Sequence, residues 1–277
     1  MRLFILVLTL LLFLNAGCLE SSEPTYPEID KFEDLFQSKV MIATCDPNHC
    51  PAGRYAYSVI SSLEAKNPVE GRALRKNIVT NDPNVRAVLD KVVTREVDAG
   101  FVYITDAVIE NIIENDSLDI IEIPRELSPL PQYGAAVILD GENPEGGMLF
   151  TEYLTSDEAQ GVLERFGFTP GVESPEPFEP EKLDPTVGGS ITVYAASSLT
   201  DVFEELSRNF QEETGINVIL GFGSSGTLRA KIEGGAPADV FVTASLRHTE
   251  ILKENGFIEG EEVFVRNRLV VITRTVK

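Results

Sequence analysis

The residues best placed to do chemistry stand where strand-like segments give way to helices. After the apolar run 191–195 comes Ala196-Ser197-Ser198-Leu199-Thr200-Asp201, and Ser198 with Asp201 three residues on has the form of a capping box, with Asp in place of the usual Glu. The run 216–220 ends in Gly221-Phe222-Gly223-Ser224-Ser225-Gly226-Thr227. Glycines there let the backbone approach a ligand closely, and the serine hydroxyls stand beside the unpaired N–H groups of a helix start. This reads as an anion cradle, and the absence of a Gly-Lys-Ser/Thr ending separates it from a phosphate-binding P-loop. Pro51-Ala52-Gly53 opens a helix carrying Tyr55, Val59 and Leu63, and Asp82-Pro83-Asn84-Val85 opens one carrying Val88, Leu89 and Val92. With Pro83 at the first helical position, Asp82 is the expected cap and the Val85 N–H is left without an intrahelical partner. Taken singly, each of these is a routine cap or turn; a site requires that they converge.

Cys45 and Cys50 enclose Asp46-Pro47-Asn48-His49. Outside the cell, two thiols this close around a Pro-Asn turn most simply form a small-loop disulfide. Two sharper readings stand beside it. A metal site could use Cys45, His49 and Cys50, but His248 is the only other histidine and no second cysteine pair completes a tetrahedral set. A Cys/His nucleophile lacks a third, orienting group. The extracellular setting comes from the N-terminus, where Met1-Arg2 precedes an apolar run, 3–14, broken by a single Thr and closed by Asn15-Ala16-Gly17-Cys18. The run is short for a membrane span and is expected to be a removed signal. The small residues before Cys18 resemble a lipobox, in which the cysteine becomes the lipidated first residue, although Asn15 stands where an aliphatic residue is usual. Residues 1–17 are thus expected to be a lipoprotein signal peptide and 18–30, with Ser21, Ser22, Pro24 and Pro27, a flexible tether. The mature protein is expected outside the cell, anchored to the outer face of the membrane through Cys18.

The elements that must position these residues alternate in type. Strand-like runs at 40–44 and 99–104 and helical spacing at 52–63, 84–93 and 157–166 occupy the first part of the chain; strands at 191–195, 216–220, 240–243 and 269–273, with helices between the first three pairs, occupy the last. The class is α/β, with mostly parallel sheets covered on both faces. Between 169 and 189, prolines alternating with acids forbid a helix and give an extended connector. The 277 residues carry 23 Lys+Arg against 44 Asp+Glu, a net charge of −21, which argues against nucleic acid or an anionic lipid surface as partner. No His, Lys or carboxylate pair stands in a catalytic arrangement near the helix starts, so no enzyme is expected.

Together these segments resemble the molybdate-binding proteins of ABC transporters, the ModA family of periplasmic binding proteins, with a type II two-lobed fold. Ile191 to Thr200, Phe222 to Leu228 and Gly235-Ala236-Pro237-Ala238-Asp239-Val240-Phe241 are similar to the family's first half. Asp46-Pro47, Pro51 to Ala56, Asn84 to Leu89 and Ala99 to Ala107 are similar to its second, and Ser156 to Gln160 with Arg165-Phe166-Gly167-Phe168 to its closing helix. The halves stand in reversed order. The resemblance therefore implies a circular permutation opened between Lys277 and about Glu28; the alternatives are a gene remnant whose halves pair with other chains, or a domain-swapped dimer. It assigns 31–130 to lobe two, 131–168 to a hinge strand and the closing helix, 169–189 to the linker, and 190–277 to lobe one with a hinge strand. The strands expected to cross are 133–139 and 269–273. The ligand shell it implies is two hydroxyls, Ser198 and Ser225, two backbone amides, Ala52 and Val85, and the hydroxyl of Tyr103, which ends a strand where open α/β sheets place ligands. The shell holds a molybdate or tungstate oxyanion directly, with no cation site and no cofactor. An all-donor shell suits a fully deprotonated anion, because a ligand O–H would meet donor with donor. The partners implied are an ABC permease with its ATPase, for a protein acting as a monomer. Receptors for another oxyanion such as sulfate, or a periplasmic sensor module, are the other readings.

Overall fold

A computed structural model describes residues 26–114, 116–179 and 187–275. Cys18, the signal segment and residues 180–186 of the connector lie outside the described residues. The chain first runs β1 (Ile42–Cys45), α1 (Pro51–Lys66), α2 (Pro68–Asn77), β2 (Ile78–Asp82), α3 (Val85–Val93), β3 (Ala99–Tyr103), α4 (Ile104–Ile113) and β4 (Leu118–Glu122). Next come β5 (Gln132–Val137), α5 (Pro144–Thr155), α6 (Asp157–Arg165) and β6 (Thr169–Pro170). After the connector it runs β7 (Ser190–Ala196), α7 (Thr200–Thr214), β8 (Asn217–Gly223), α8 (Ser225–Glu233), β9 (Val240–Thr243), α9 (Arg247–Glu254), β10 (Glu262–Arg266) and β11 (Leu269–Arg274).

These strands form two sheets, ordered β2-β1-β3-β11-β4 and β6-β10-β5-β9-β7-β8. In the first, β1 pairs in parallel with β2 and β3, and β11 runs antiparallel to β3 and β4. In the second, β7 pairs in parallel with β8 and β9, while β5 is antiparallel to β9 and β10. The strands of each sheet thus run mostly one way, with β11 reversed in the first and β5 and β6 in the second. Every residue of β1, β3 and β9 is buried, as expected of strands covered by helices on both faces.

Each half lends the other a strand. β5 follows β4 in sequence but lies in the sheet of the second half; β11 follows β10 but lies in the sheet of the first. The crossings run through residues 123–131 and through Asn267 and Arg268, immediately before the segments expected to cross. Each lobe accordingly depends on sequence from both ends of the chain.

Two segments expected to be free are partly built in. Ile29, at the end of the assigned tether, is buried in the same hydrophobic core as Phe32. The connector begins as strand, β6 pairing with β10. It then lays Phe178 against Tyr153, 5.2 Å between ring centroids, and Phe210. The Glu176 carbonyl accepts from Asp157 N–H, and Phe178 N–H donates to the Glu158 carboxylate. Proline content predicts extension correctly, but an aromatic side chain with an open core edge beside it buries itself.

Candidate functional site

The five residues Ala52, Val85, Tyr103, Ser198 and Ser225 line one small, tight pocket between the sheets, with a cavity volume of about 10 Å³. The same wall includes Cys50, Pro51, Ala196, Ser197, Gly223, Ser224 and Ala244, so none of its residues carries a charge. The pocket lies at the C-terminal ends of β1, β2 and β3 on one side and of β7, β8 and β9 on the other, where the helices that follow begin.

Local sequence sets each donor. Pro51 takes the first position of α1 and has no N–H to lose, which leaves Ala52 N–H in the first turn with no partner among the described residues. The turn is held down by the Cys45–Cys50 disulfide, whose Cys45 Sγ accepts from Gly53 N–H at 3.1 Å. Only glycine fits at 53, because a Cβ would lie 1.9 Å from the Cys45 carbonyl oxygen. The bridge occupies both thiols, so neither the metal nor the nucleophile reading of Cys45, His49 and Cys50 survives. Val85 is the first residue of α3 and its N–H is likewise unpaired.

Two caps differ from expectation. Asn84, not Asp82, caps α3, its Oδ1 accepting from Ala87 N–H, while Asp82 ends β2 and pairs with Lys91 at 2.8 Å. Pro83 therefore sits before the helix and the start moves two residues on. Ser198 caps nothing: it lies in a 3-10 turn, Ser197–Leu199, ahead of α7. Its Oγ lies 2.9 Å from the Tyr133 hydroxyl, and Asp201 is ion-paired with Arg86 of α3 across the cleft. A distant phenol thus takes the place of the local backbone partner, which no short-range motif reveals.

Ser225 begins α8, and its Oγ accepts from Ala244 N–H at 3.1 Å, which leaves its own proton for the pocket. Tyr103 is 1% exposed and its hydroxyl has no partner among the described residues. Burial, reinforced by the neighbouring Tyr133, pushes that phenol well above its ordinary range, so it remains a donor. Neutral donors at helix N-termini attract an anion without a formal charge in contact with it.

The lobes meet around this pocket. Gly226 N–H donates to the His49 carbonyl at 2.8 Å, an approach so close that a Cβ at 226 would lie 2.5 Å from that oxygen. Arg54 Nη1 donates to His248 Nε2 at 3.0 Å. Burial first, then Arg54, Arg229 and Arg247, hold the His248 pKa down to about 3, so the ring is neutral and able to accept. Arg86 bridges Asp201 of one lobe and, at 3.6 Å, the fully buried Asp106 of the other, whose pKa burial raises to about 6 against the pull of Arg86. Sequence reasoning missed Tyr133, Arg54, Arg86 and His248, because each acts across a gap of many residues that only the assembled sheets close.

Comparison with known proteins places this geometry. The molybdate-binding protein ModA of Escherichia coli is 37% identical over 86 residues, 30% of this chain and 34% of that protein. ModA of Haemophilus influenzae is 40% identical over 85 residues, with the same coverage. YvgL of Bacillus subtilis, a candidate ABC transporter substrate-binding lipoprotein, is 33% identical over 144 residues, 51% of this chain and 50% of that protein. The matched segments thus span between a third and a half of these relatives. The crystal structure of a phosphate-binding protein of a phosphate ABC transporter from Streptococcus pneumoniae superposes with a TM-score of 0.52 at 10% identity, covering 85% of this chain and 89% of that one. That likeness speaks for the fold alone, the two-lobed type II periplasmic-binding-protein fold. The family described as bacterial extracellular solute-binding protein matches residues 12–169 and 191–277, both halves with only the connector between them left out, and the chain belongs to that family.

Proposed function

We propose that this protein captures a fully deprotonated tetrahedral oxyanion, molybdate or tungstate, between its lobes and delivers it to an ABC permease. The observation that carries the reading is the convergence of five neutral donors from both lobes on one pocket without a carboxylate in its wall. Such a pocket offsets the repulsive field of a chain of charge −21 by short-range hydrogen bonds, and where its groups act as donors an anion bearing a proton sets donor against donor. The partial identity to ModA proteins favours molybdate, and membership of a solute-binding family favours capture over catalysis. Lipid attachment at Cys18 accords with the likeness to YvgL. Because contacts such as Gly226 to His49 join the lobes only when they are closed, an anion touching both lobes favours closure, and closure is what a permease would read.

The reversed order of the halves is read as a circular permutation. Two proximities support it. Tyr26 and Thr275 both meet the Arg95 side chain, through its guanidinium over the Tyr26 ring at 4.6 Å and its Nη2 to the Thr275 carbonyl at 3.4 Å. At the other junction both ends of the connector rest on α5: Asn143, its cap, donates from Nδ2 to the Gly188 and Ser190 carbonyls, and Phe178 packs on Tyr153 in its last turn. Short connections at either place join the halves without disturbing the sheets.

The test is a thermal melt of the full-length protein in mild detergent against molybdate, tungstate, sulfate and phosphate. A ligand at about 100 times its dissociation constant stabilises the fold by roughly 2.7 kcal/mol. A shift with molybdate or tungstate and none with phosphate is expected. A shift with sulfate alone transfers the site to the sulfate reading, and no shift in a chain that melts cooperatively overturns the receptor reading.

A further inference from the structure

One buried polar chain leads from the hinge to the pocket. Asn267 lies in the two-residue crossing between β10 and β11 and is 1% exposed. Its Oδ1 accepts from Arg268 N–H at 2.8 Å, which fixes the amide so that Nδ2 faces the other way. Nδ2 donates to Thr105 Oγ1 at 3.0 Å on one lobe and to Tyr133 Oη at 3.2 Å on the other. Tyr133, in β5, is fully buried, and its hydroxyl lies 2.9 Å from Ser198 Oγ. A phenol oxygen that already accepts from an amide has one proton to place, and Ser198 Oγ is the acceptor within reach. Ser198 then receives a hydrogen bond on its oxygen and keeps its own proton for the pocket. On the same lobe Ser225 is treated alike, with Ala244 N–H in the role of the phenol.

We propose that Asn267 and Tyr133 are positioning residues that orient the Ser198 hydroxyl as a donor, and so set the preference of the pocket for anions without a proton. The inference rests on the oxyanion reading of the site. A serine free to rotate can accept from a ligand O–H as readily as donate to a ligand oxygen; the chain from Asn267 removes the first option. Because Asn267 joins Thr105 of one lobe to Tyr133 of the other, the orientation is complete only when the hinge holds the closed geometry.

The experiment measures molybdate and hydrogen phosphate affinities by calorimetry for the full-length wild type, Tyr133→Phe, Ser198→Ala and the double variant. Tyr133→Phe is expected to weaken molybdate about 10-fold and to narrow its advantage over hydrogen phosphate by at least about 10-fold, while costing less than about 2-fold in the Ser198→Ala background. A second variant guards against misfolding. Asn267→Asp keeps the shape but offers a carboxylate that accepts the Tyr133 proton, which draws the Ser198 proton out of the pocket; molybdate binding is expected to fall at least as far as in Tyr133→Phe. Losses at Tyr133 and Ser198 that simply add, or an unchanged ratio of the two anions in both Tyr133→Phe and Asn267→Asp, overturn the inference while leaving the oxyanion site standing. A wild type that binds no oxyanion removes both.

Discussion

The Tyr103 hydroxyl gives the candidate site its sharpest test, because removing it should move stability and binding in opposite directions. The side chain is 1% exposed, and its oxygen has no hydrogen-bond partner among the described residues. Burying a hydroxyl unpaired costs about 1–3 kcal/mol, a cost that a passing water lifts only while the lobes stand apart. Tyr103→Phe keeps the edge-to-face contact with the Tyr133 ring, 5.7 Å between centroids, and discards only the oxygen. The free variant should therefore melt no lower than wild type and up to a few degrees higher, at about 2–4 °C per kcal/mol for a chain of this size. With molybdate the sign reverses. A hydrogen bond to an anion contributes about 1.5–3 kcal/mol, so the dissociation constant should rise roughly 10- to 150-fold. Paired melts with and without ligand, followed by calorimetry, read both effects from one preparation. Wild-type affinity in Tyr103→Phe would show that the hydroxyl does not face the ligand, and a free variant melting several degrees lower would show that the oxygen has a structural partner.

Three further outcomes follow from the same contacts. The Cys45–Cys50 bridge closes a loop of separation 5, for which chain entropy gives about 2 kcal/mol; the double Cys→Ser variant, or reductant added to wild type, should lower the melting temperature by about 4–8 °C and weaken anion binding through the Ala52 turn. A melting temperature indifferent to reductant would contradict the bridge. Asp106, raised from 3.8 to about 6 by burial, contributes stability that is present below pH 3.8 and lost as pH rises through 6, on the order of 3 kcal/mol; urea melts of Asp106→Asn should lack that decline, and a parallel decline in the variant would assign it elsewhere. His248, depressed to about 3 by burial first and then by the nearby arginines, runs the other way, with stability present above about pH 6.5 and lost as pH falls toward 3; its NMR signals should not titrate between pH 5 and 8, and a midpoint near 6.5 would mean that the ring is neither buried nor faced by Arg54.

What was legible in the sequence, and what was not, divides along a physical line. The positions of β9, α3 and α6 follow from periodicity within a residue or two, because each is amphipathic or uniformly apolar over its whole length. Ala52 and Val85 were legible as free amides, since the geometry of a helix start is local and survives even the mistaken choice of Asp82 as cap. α2 was overlooked: its ten residues hold only Gly71, Leu74 and Asn77 as buried positions, too thin a stripe to stand out. The partner of Ser198 lay 65 residues away on a strand borrowed from the other half, and the 194-residue reach from Arg54 to His248 has no signature in spacing at all. Local backbone chemistry is written in short motifs; side-chain partnerships across a cleft are written in the topology.

That topology also says why reversing the halves need not destroy the site, and it makes the permutation testable. β1, β2 and β3 in one sheet correspond to β7, β8 and β9 in the other, and each trio receives one antiparallel strand from the opposite half, β11 beside β3 and β5 beside β9. Neither trio depends on being first in the chain; each depends on the strand it is lent. A chain recut to begin at residue 187, run to 277, continue through a short linker into residue 26 and end at 179 should therefore rebuild the same pocket. Changing a connector from about twenty residues to about ten alters closure entropy by only about 0.6 kcal/mol, so the recut chain should melt within a few degrees of the original and rank the four anions identically. Residues 26–179 expressed alone should fail to fold cooperatively, because without β11 both β3 and β4 lose their partner across Leu269–Arg274 and the sheet opens along its middle. A recut chain that folds but ranks the anions differently would refute the equivalence of the two orders, and an isolated first half that melts cooperatively would refute the claim that the lobes hold each other together by exchanged strands.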